Sequence, residues 1–154
     1  MNLNDIKEHY LNYQKWLQSL TNLDDEKWFA PIGTGKWSPA AIISHLLSWD
    51  KHSLNERFPF FQEGVKQEGY PDFQQVNDFA REYAHSGITK EQLIHDIMEE
   101  RQKYFHFINQ FNEEHLNISF SIANHSLTVQ EYFEDFIGHD LHHQNQIKNA
   151  IQVS

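Results

Sequence analysis

Apolar residues at Leu3, Ile6, Tyr10, Tyr13, Trp16, Leu17 and Leu20 recur mostly at steps of three and four, the spacing that lines them along one face of a helix. The same period returns in three later stretches, and nothing else in the chain limits its fold as much. In WSPAAIISHLLSWDKHSLNERF, Ser38 stands as an N-cap and Pro39 as the first helical residue, where its missing N–H costs nothing. A second helix is expected from there to about Arg57. Thr89 and Gln92 have capping-box spacing ahead of Leu93, Ile97, Met98, Tyr104, Phe105, Ile108 and Phe111, which predicts the longest helix of the chain. Thr128 and Glu131 repeat that box ahead of VQEYFEDFIGHDLHHQNQIKNAI, and a last helix is expected from Val129 to Ile151. A shorter helix is expected from Phe73 to Tyr83.

The segments between are irregular. TNLDDEKWFAPIGTGKW, with Pro31, Gly33 and Gly35, reads as a loop pinned by Trp28 and Trp37, and FPFFQEGVKQEGYPDF as a turn-rich connection. LNISFSI is the one candidate strand. Four amphipathic helices without sustained two-residue alternation or a fixed repeat predict an all-α four-helix bundle with long irregular connections. The length of 154 residues predicts a single domain over 1–154.

Composition narrows the function. Acidic residues outnumber Lys and Arg by 22 to 12, and the formal charge of −10 repels phosphate backbones and anionic membrane surfaces alike. Nucleic acid and membrane are therefore not expected partners; a small-molecule substrate is. No cysteine is present, so thiolate ligands and a cysteine nucleophile are excluded, and any metal must use imidazole, carboxylate or water. MNLNDIKEHY lacks the basic flank and apolar run of a signal peptide, and no stretch approaches the ~20 apolar residues of a membrane span, so a cytoplasmic location is expected. IGTGKW lacks the spacing of a phosphate-binding loop. Glu131, Glu134, Asp135 and Asp140 crowd the last helix, but the Glu-x-x-His pairs of a di-iron bundle are missing.

Histidine is the informative residue type. His139 and His143 lie about 40° apart around a helix and about 6 Å apart along it, so both can face one ion. They fall on the line Val129, Tyr132, Phe136, His139, His143, Gln146, Ala150, which reads as core-facing. His45 shares an apolar face with Ile42, Leu46 and Trp49 in the second helix, and two such faces packed inward bring it toward the pair. Three imidazoles with open positions suit zinc, nickel or iron. The bland alternative is that these are surface histidines, or core ones bonded to neighbours such as Asp140 or Gln146. His142 is set aside as flanking, and His9, His52, His85, His95, His106, His115 and His125 are expected on solvated faces or loops. Asp50 and Asp140 read as groups behind the ligands or, preferably, as surface charges, with Trp49 and Gln146 as neighbours of the site. Phe58, Phe60 and Phe61 are expected to pack in the core.

GKWSPAAIISHLLSWDK together with GHDLHHQNQIKNAI resembles the DinB-like superfamily, the DinB/YfiT-like metalloenzymes, over most of the chain. The resemblance implies an up-down-down-up four-helix bundle, a homodimer, and a divalent metal, zinc or nickel first and iron next, held by His45, His139 and His143. It also implies a metal-dependent hydrolase, or a transferase using a low-molecular-weight thiol such as mycothiol, bacillithiol or glutathione. The rival expectation is a non-catalytic, stress-related bundle that binds a small hydrophobic molecule or dimerises through aromatic surface.

Overall fold

A computed structural model of the chain describes residues 1–152, with the side chain of Gln152 excluded. Four long helices, α1 (Leu3–Ser19), α3 (Pro39–Glu56), α5 (Lys90–Ile108) and α6 (Val129–Gln152), form the body. Two shorter ones, α2 (Asp25–Phe29) and α4 (Phe73–Ala84), lie in the connections. The α3 helix is the centre of the packing, with α4 on one side and α5 on another, while α1 packs chiefly on α5 and α6 closes over both α1 and α3.

Helix starts follow local chemistry. The Ser38 side chain accepts from the Ala41 N–H with Pro39 in the first turn, as expected. At Thr128 the box is complete, because Oγ1 accepts from Glu131 N and the Glu131 carboxylate accepts from Thr128 N. At Thr89 only half forms: Oγ1 accepts from Gln92 N, but the Gln92 amide turns forward to Asp96. The α5 helix stops at Ile108 and leaves Phe111 outside it, and the longest helix is instead α6, with 24 residues against 19.

Two connecting segments also depart from expectation. The loop before α3 contains α2, capped by Asp24 accepting from Lys27 N, and the helix's own Trp28 is fully buried. The all-α reading gives way to a mostly helical fold with a small three-stranded sheet: β1 (Lys66–Gln67), β2 (Ser119–Ile122) and β3 (His125–Thr128). The strand anticipated in LNISFSI is β2, which pairs antiparallel with β3 and parallel with β1. Its hairpin turns through Ala123 and Asn124, with Ala123 at φ 52, a conformation usually taken by Gly or Asn, so the usual sequence signal is missing. No helix among the described residues is long and apolar enough to cross a membrane.

The apolar core is divided. One cluster gathers Ile6, Tyr10, Phe58, Tyr104, Phe133 and Ile137 with the inner face of the hairpin, and the other gathers Tyr13, Leu17, Trp28, Leu46, Ile97 and Ile147. Each long helix passes from one cluster to the other, and at the crossing each carries a polar residue: His9, Asp50, Arg101 and Asp140. Arg101 donates through Nε and Nη2 to Asp50 at 2.8 and 3.1 Å, and through Nη1 and Nη2 to Asp140 at 2.6 and 2.8 Å. His9 Nε2 lies 2.9 Å from Asp140, and the Tyr13 hydroxyl donates to the Asp140 carbonyl. Asp50 and Asp140 are therefore not surface charges, and His9 is not solvated; its side chain is 11% exposed.

Candidate metal centre

On α6, His139 and His143 stand one turn apart, and both face the middle of α3, where His45 lies six residues past the first helical residue. The Nε2 atom of His139 is 3.1 Å from Nε2 of His45 and 3.1 Å from Nε2 of His143. One ligand atom from each of the three rings falls within 4.8 Å of the others. The rings are mutually edge-on, with centroids 4.5 to 5.1 Å apart.

Proton placement follows from the neighbours. The Trp49 indole N–H can only donate, and it points at Asn77 Oδ1 at 3.3 Å, which fixes that atom as the acceptor. The same oxygen lies 2.8 Å from His45 Nδ1, so Nδ1 carries the proton and Nε2 presents a bare lone pair. On the other flank, His143 Nδ1 donates to Gln146 Oε1 at 2.8 Å, again leaving Nε2 bare. Burial lowers the His45 pKa to about 4, against the raising effect of the Asn77 hydrogen bond, and the other two histidines add to the fall. Burial and the neighbouring His143 lower His139 to about 4 as well, and burial lowers His143. The three rings are neutral at physiological pH. His139 Nε2 can give its one hydrogen to only one of its two partners, so at least one 3.1 Å contact sets lone pair against lone pair. A cation satisfies that arrangement, and a donor set of neutral imidazoles whose far nitrogens are tied by hydrogen bonds is the kind divalent metals use.

In front of His45 and His139 opens a cavity of about 530 Å³ walled by Trp49, Phe73, Asn77 and Phe136, a suitable size for a small organic molecule. Behind His143 and Gln146 lies a smaller one of about 260 Å³ against Trp37 and Lys36. The core-facing reading of the α6 stripe needs correction here. The buried residues of α6 are Val129, Tyr132, Phe133, Ile137, Asp140 and Ile147, whereas Phe136, His139, His143, Gln146 and Ala150 are half-buried. The helix packs on the adjacent row, and the histidine row is left to wall the cleft toward α3 and α4.

Of the other expected neighbours, Trp49 and Gln146 touch the site through the bonds just described, while Asp50 and Asp140 belong to the Arg101 network. His142 is exposed, as are His85, His95, His106 and His125, but His52 is half-buried with its Nε2 enclosed. Phe58 and Phe61 are core residues, whereas Phe60 is 48% exposed. Asn77 was not anticipated. It follows Phe73 by four residues and precedes the buried Ala80 and Ala84 by three and seven, so an amide in an otherwise apolar stripe was its available signal. Asn77→Leu is expected to weaken metal binding 10–100-fold by freeing the His45 ring, measured by competition with a chelating dye; unchanged affinity would refute the orienting role.

Comparison with known proteins adds three findings. The family model for the DinB superfamily matches residues 8–147. Among solved structures, one described as "YfiT from Bacillus subtilis is a probable metal-dependent hydrolase with an unusual four-helix bundle topology" superposes with a TM-score of 0.80 at 13% identity, covering 97% of this chain and 86% of that one. No curated protein sequence matches the chain.

Proposed function

We propose, since the chain belongs to the DinB superfamily, that it is a metal-dependent enzyme whose centre is His45, His139 and His143. The observation that supports this most is the convergence of three neutral imidazole nitrogens, two of them held as acceptors by Asn77 and Gln146. Zinc or nickel suits such a set best, with iron next. The chemistry the ion supplies is Lewis acidity toward a water or a low-molecular-weight thiol. A chain without cysteine has no thiol of its own, so in an S-transfer the thiol comes as cosubstrate. Hydrolysis is the reaction to test first, because the YfiT structure is described in those terms.

The protein's own residues have separate tasks. Asn77 and Gln146 hold the rings in the tautomer that leaves Nε2 free. Trp49, Phe73 and Phe136 give the cavity apolar walls that displace water from the organic body of a substrate. The scaffold we assign is the up-down-down-up bundle, working as a cytoplasmic homodimer. Protein purified without a histidine tag is expected to carry about one equivalent of zinc or nickel, one per three-histidine set. It is also expected to hydrolyse some member of an ester, amide and thioester panel, with activity lost on chelation and restored by metal. Protein that neither contains nor takes up zinc, nickel or iron, and whose melting temperature ignores a chelator, would instead be the non-catalytic binding bundle.

A further inference from the structure

Arg57 ends α3 and is 1% exposed. One end of its guanidinium is used: Nη1 donates to Gln67 Oε1 at 3.2 Å and to the Glu68 carbonyl at 2.6 Å. The other edge is not, because Nε and Nη2 are buried without a hydrogen-bond partner. Among the described residues no Asp or Glu forms an ion pair with Arg57, whereas the equally buried Arg101 has its donors closed by two carboxylates. Among the described residues, one buried arginine thus has its counterions and one does not.

The unused edge has a definite chemistry. Nε and Nη2 present two parallel N–H groups, the fork that a planar carboxylate accepts with both oxygens. The guanidinium lies over the Tyr70 ring, with Cζ 4.5 Å from its centroid, and its unused edge is closed off from water, so a ligand reaches that edge by displacing the Tyr70 ring, which is 36% exposed. A second orphaned group, His52 Nε2, is also buried, and the His52 and Tyr70 rings are 6.0 Å apart. Arg57, His52, Phe60, Lys66 and Tyr70 line one cleft of about 700 Å³. At its mouth Lys66 is opposed by Glu56 and Glu68, which leaves no net attraction for a polyanion and makes Arg57 the source of selectivity.

We propose that this cleft is a binding site for a small organic carboxylate, held by the Nε and Nη2 fork of Arg57 with His52 as a further polar contact. The site is separate from the three histidines and does not depend on their holding a metal, although Tyr70 helps wall both cavities.

Acetate and benzoate, titrated into the full chain at constant ionic strength, test the site. The readout is the Nε–H signal of Arg57 in proton–nitrogen spectra, assigned through its contact with the Tyr70 ring. Both probes are expected to shift that signal saturably, benzoate more tightly because Phe60 and Tyr70 offer apolar surface, and inorganic phosphate less tightly than either. Arg57→Lys keeps the charge and loses the fork, so it is expected to weaken benzoate binding about tenfold. Because a buried arginine can be essential for folding, Lys66→Glu at an exposed position is the second variant, expected to stay folded and to bind benzoate severalfold more weakly. A signal that does not move, or that moves equally with chloride, would overturn the site. Phosphate binding tighter than both carboxylates would overturn the ligand class.

Discussion

Arg101→Met is expected to lower the stability of the fold by about 3–5 kcal/mol, because it leaves two carboxylates in the interior without their shared cation. Asp50 is 5%, Asp140 2% and Arg101 2% exposed, so water cannot replace the lost partner. The network is already poor in positive charge. Burial pushes the Asp50 carboxyl up to about 7 even with Arg101 beside it. Burial acts on Asp140 in the same direction, but Arg101 and the hydrogen bonds from Arg101 and His9 outweigh it and hold Asp140 down to about 2. Without Arg101 both acids would have to take up protons or unfold the layer. The melting temperature is expected to fall on the order of 10 °C, and the loss should shrink on acidification, as protonation removes the orphaned charge. Adding Asp50→Leu and Asp140→Leu to Arg101→Met is expected to recover much of the stability, since an apolar layer of similar volume has no charge to desolvate. A melting temperature of Arg101→Met within a degree or two of the parent would mean that the layer contributes little.

His139→Ala should separate metal from fold in the opposite way. The His139 nitrogen is the one within 3.1 Å of both others, so its removal leaves two donors on different helices with nothing between them. The side chain is half-buried at a cleft and makes no hydrogen bond to the core. The variant is therefore expected to melt near the metal-free parent while losing essentially all bound metal, read by elemental analysis after gel filtration. Full metal content in His139→Ala would remove the centre from these three residues. Acid has a predictable effect on the parent. Because burial places the folded-state titration of His45 and His139 at about 4, below the ordinary 6.5, metal is expected to stay bound as the pH falls through 6.5 and to leave as it approaches 4. The same depression means that these rings favour the metal-free fold above pH 6.5. That contribution is lost as the pH falls toward 4, where the unfolded chain has already bound its protons. Asp50 acts in the opposite direction: its raised value stabilises the fold toward low pH and is lost as the pH rises through about 7. Metal release, unlike the melting curve, has one sign.

The helices were legible because their signals are local. Ser38 with Pro39, and Thr128 with Glu131, mark starts by hydrogen bonds within three residues, and the apolar period carries each helix onward. His45, His139 and His143 were legible for a related reason, as imidazoles within such stripes. The Arg101 network was harder because each of its members makes sense only with the others. The α5 stripe runs Leu93, Ile97, Met98 and then Tyr104, and the residue filling its gap is Arg101. Asp50 and Asp140 interrupt their own stripes in the same way. A single charge in a stripe resembles noise, whereas one cation and two anions at matching heights on three helices do not. Of the sheet, β2 was legible in LNISFSI, but its pairing with β1 was hidden because Lys66–Gln67 is two residues long and joins a strand more than fifty residues later, a pairing to which no local pattern points.

The polar layer also fixes the helices lengthwise. Asp140 follows His139 directly, so the carboxylate that meets Arg101 and the imidazole that faces His45 are carried by adjacent residues of one rigid helix. Apolar clusters alone tolerate sliding, since one leucine-sized side chain packs much like the next. A slide of one turn, about 5.4 Å, would instead strand Asp140 near the level now held by Ile137, among apolar groups, and leave Arg101 without its carboxylate. A centre built from three helical histidines requires placement to a fraction of an ångström. In this bundle that placement is set by an ion pair on the adjacent face of the same helix, which acts as a latch for a site it does not itself form.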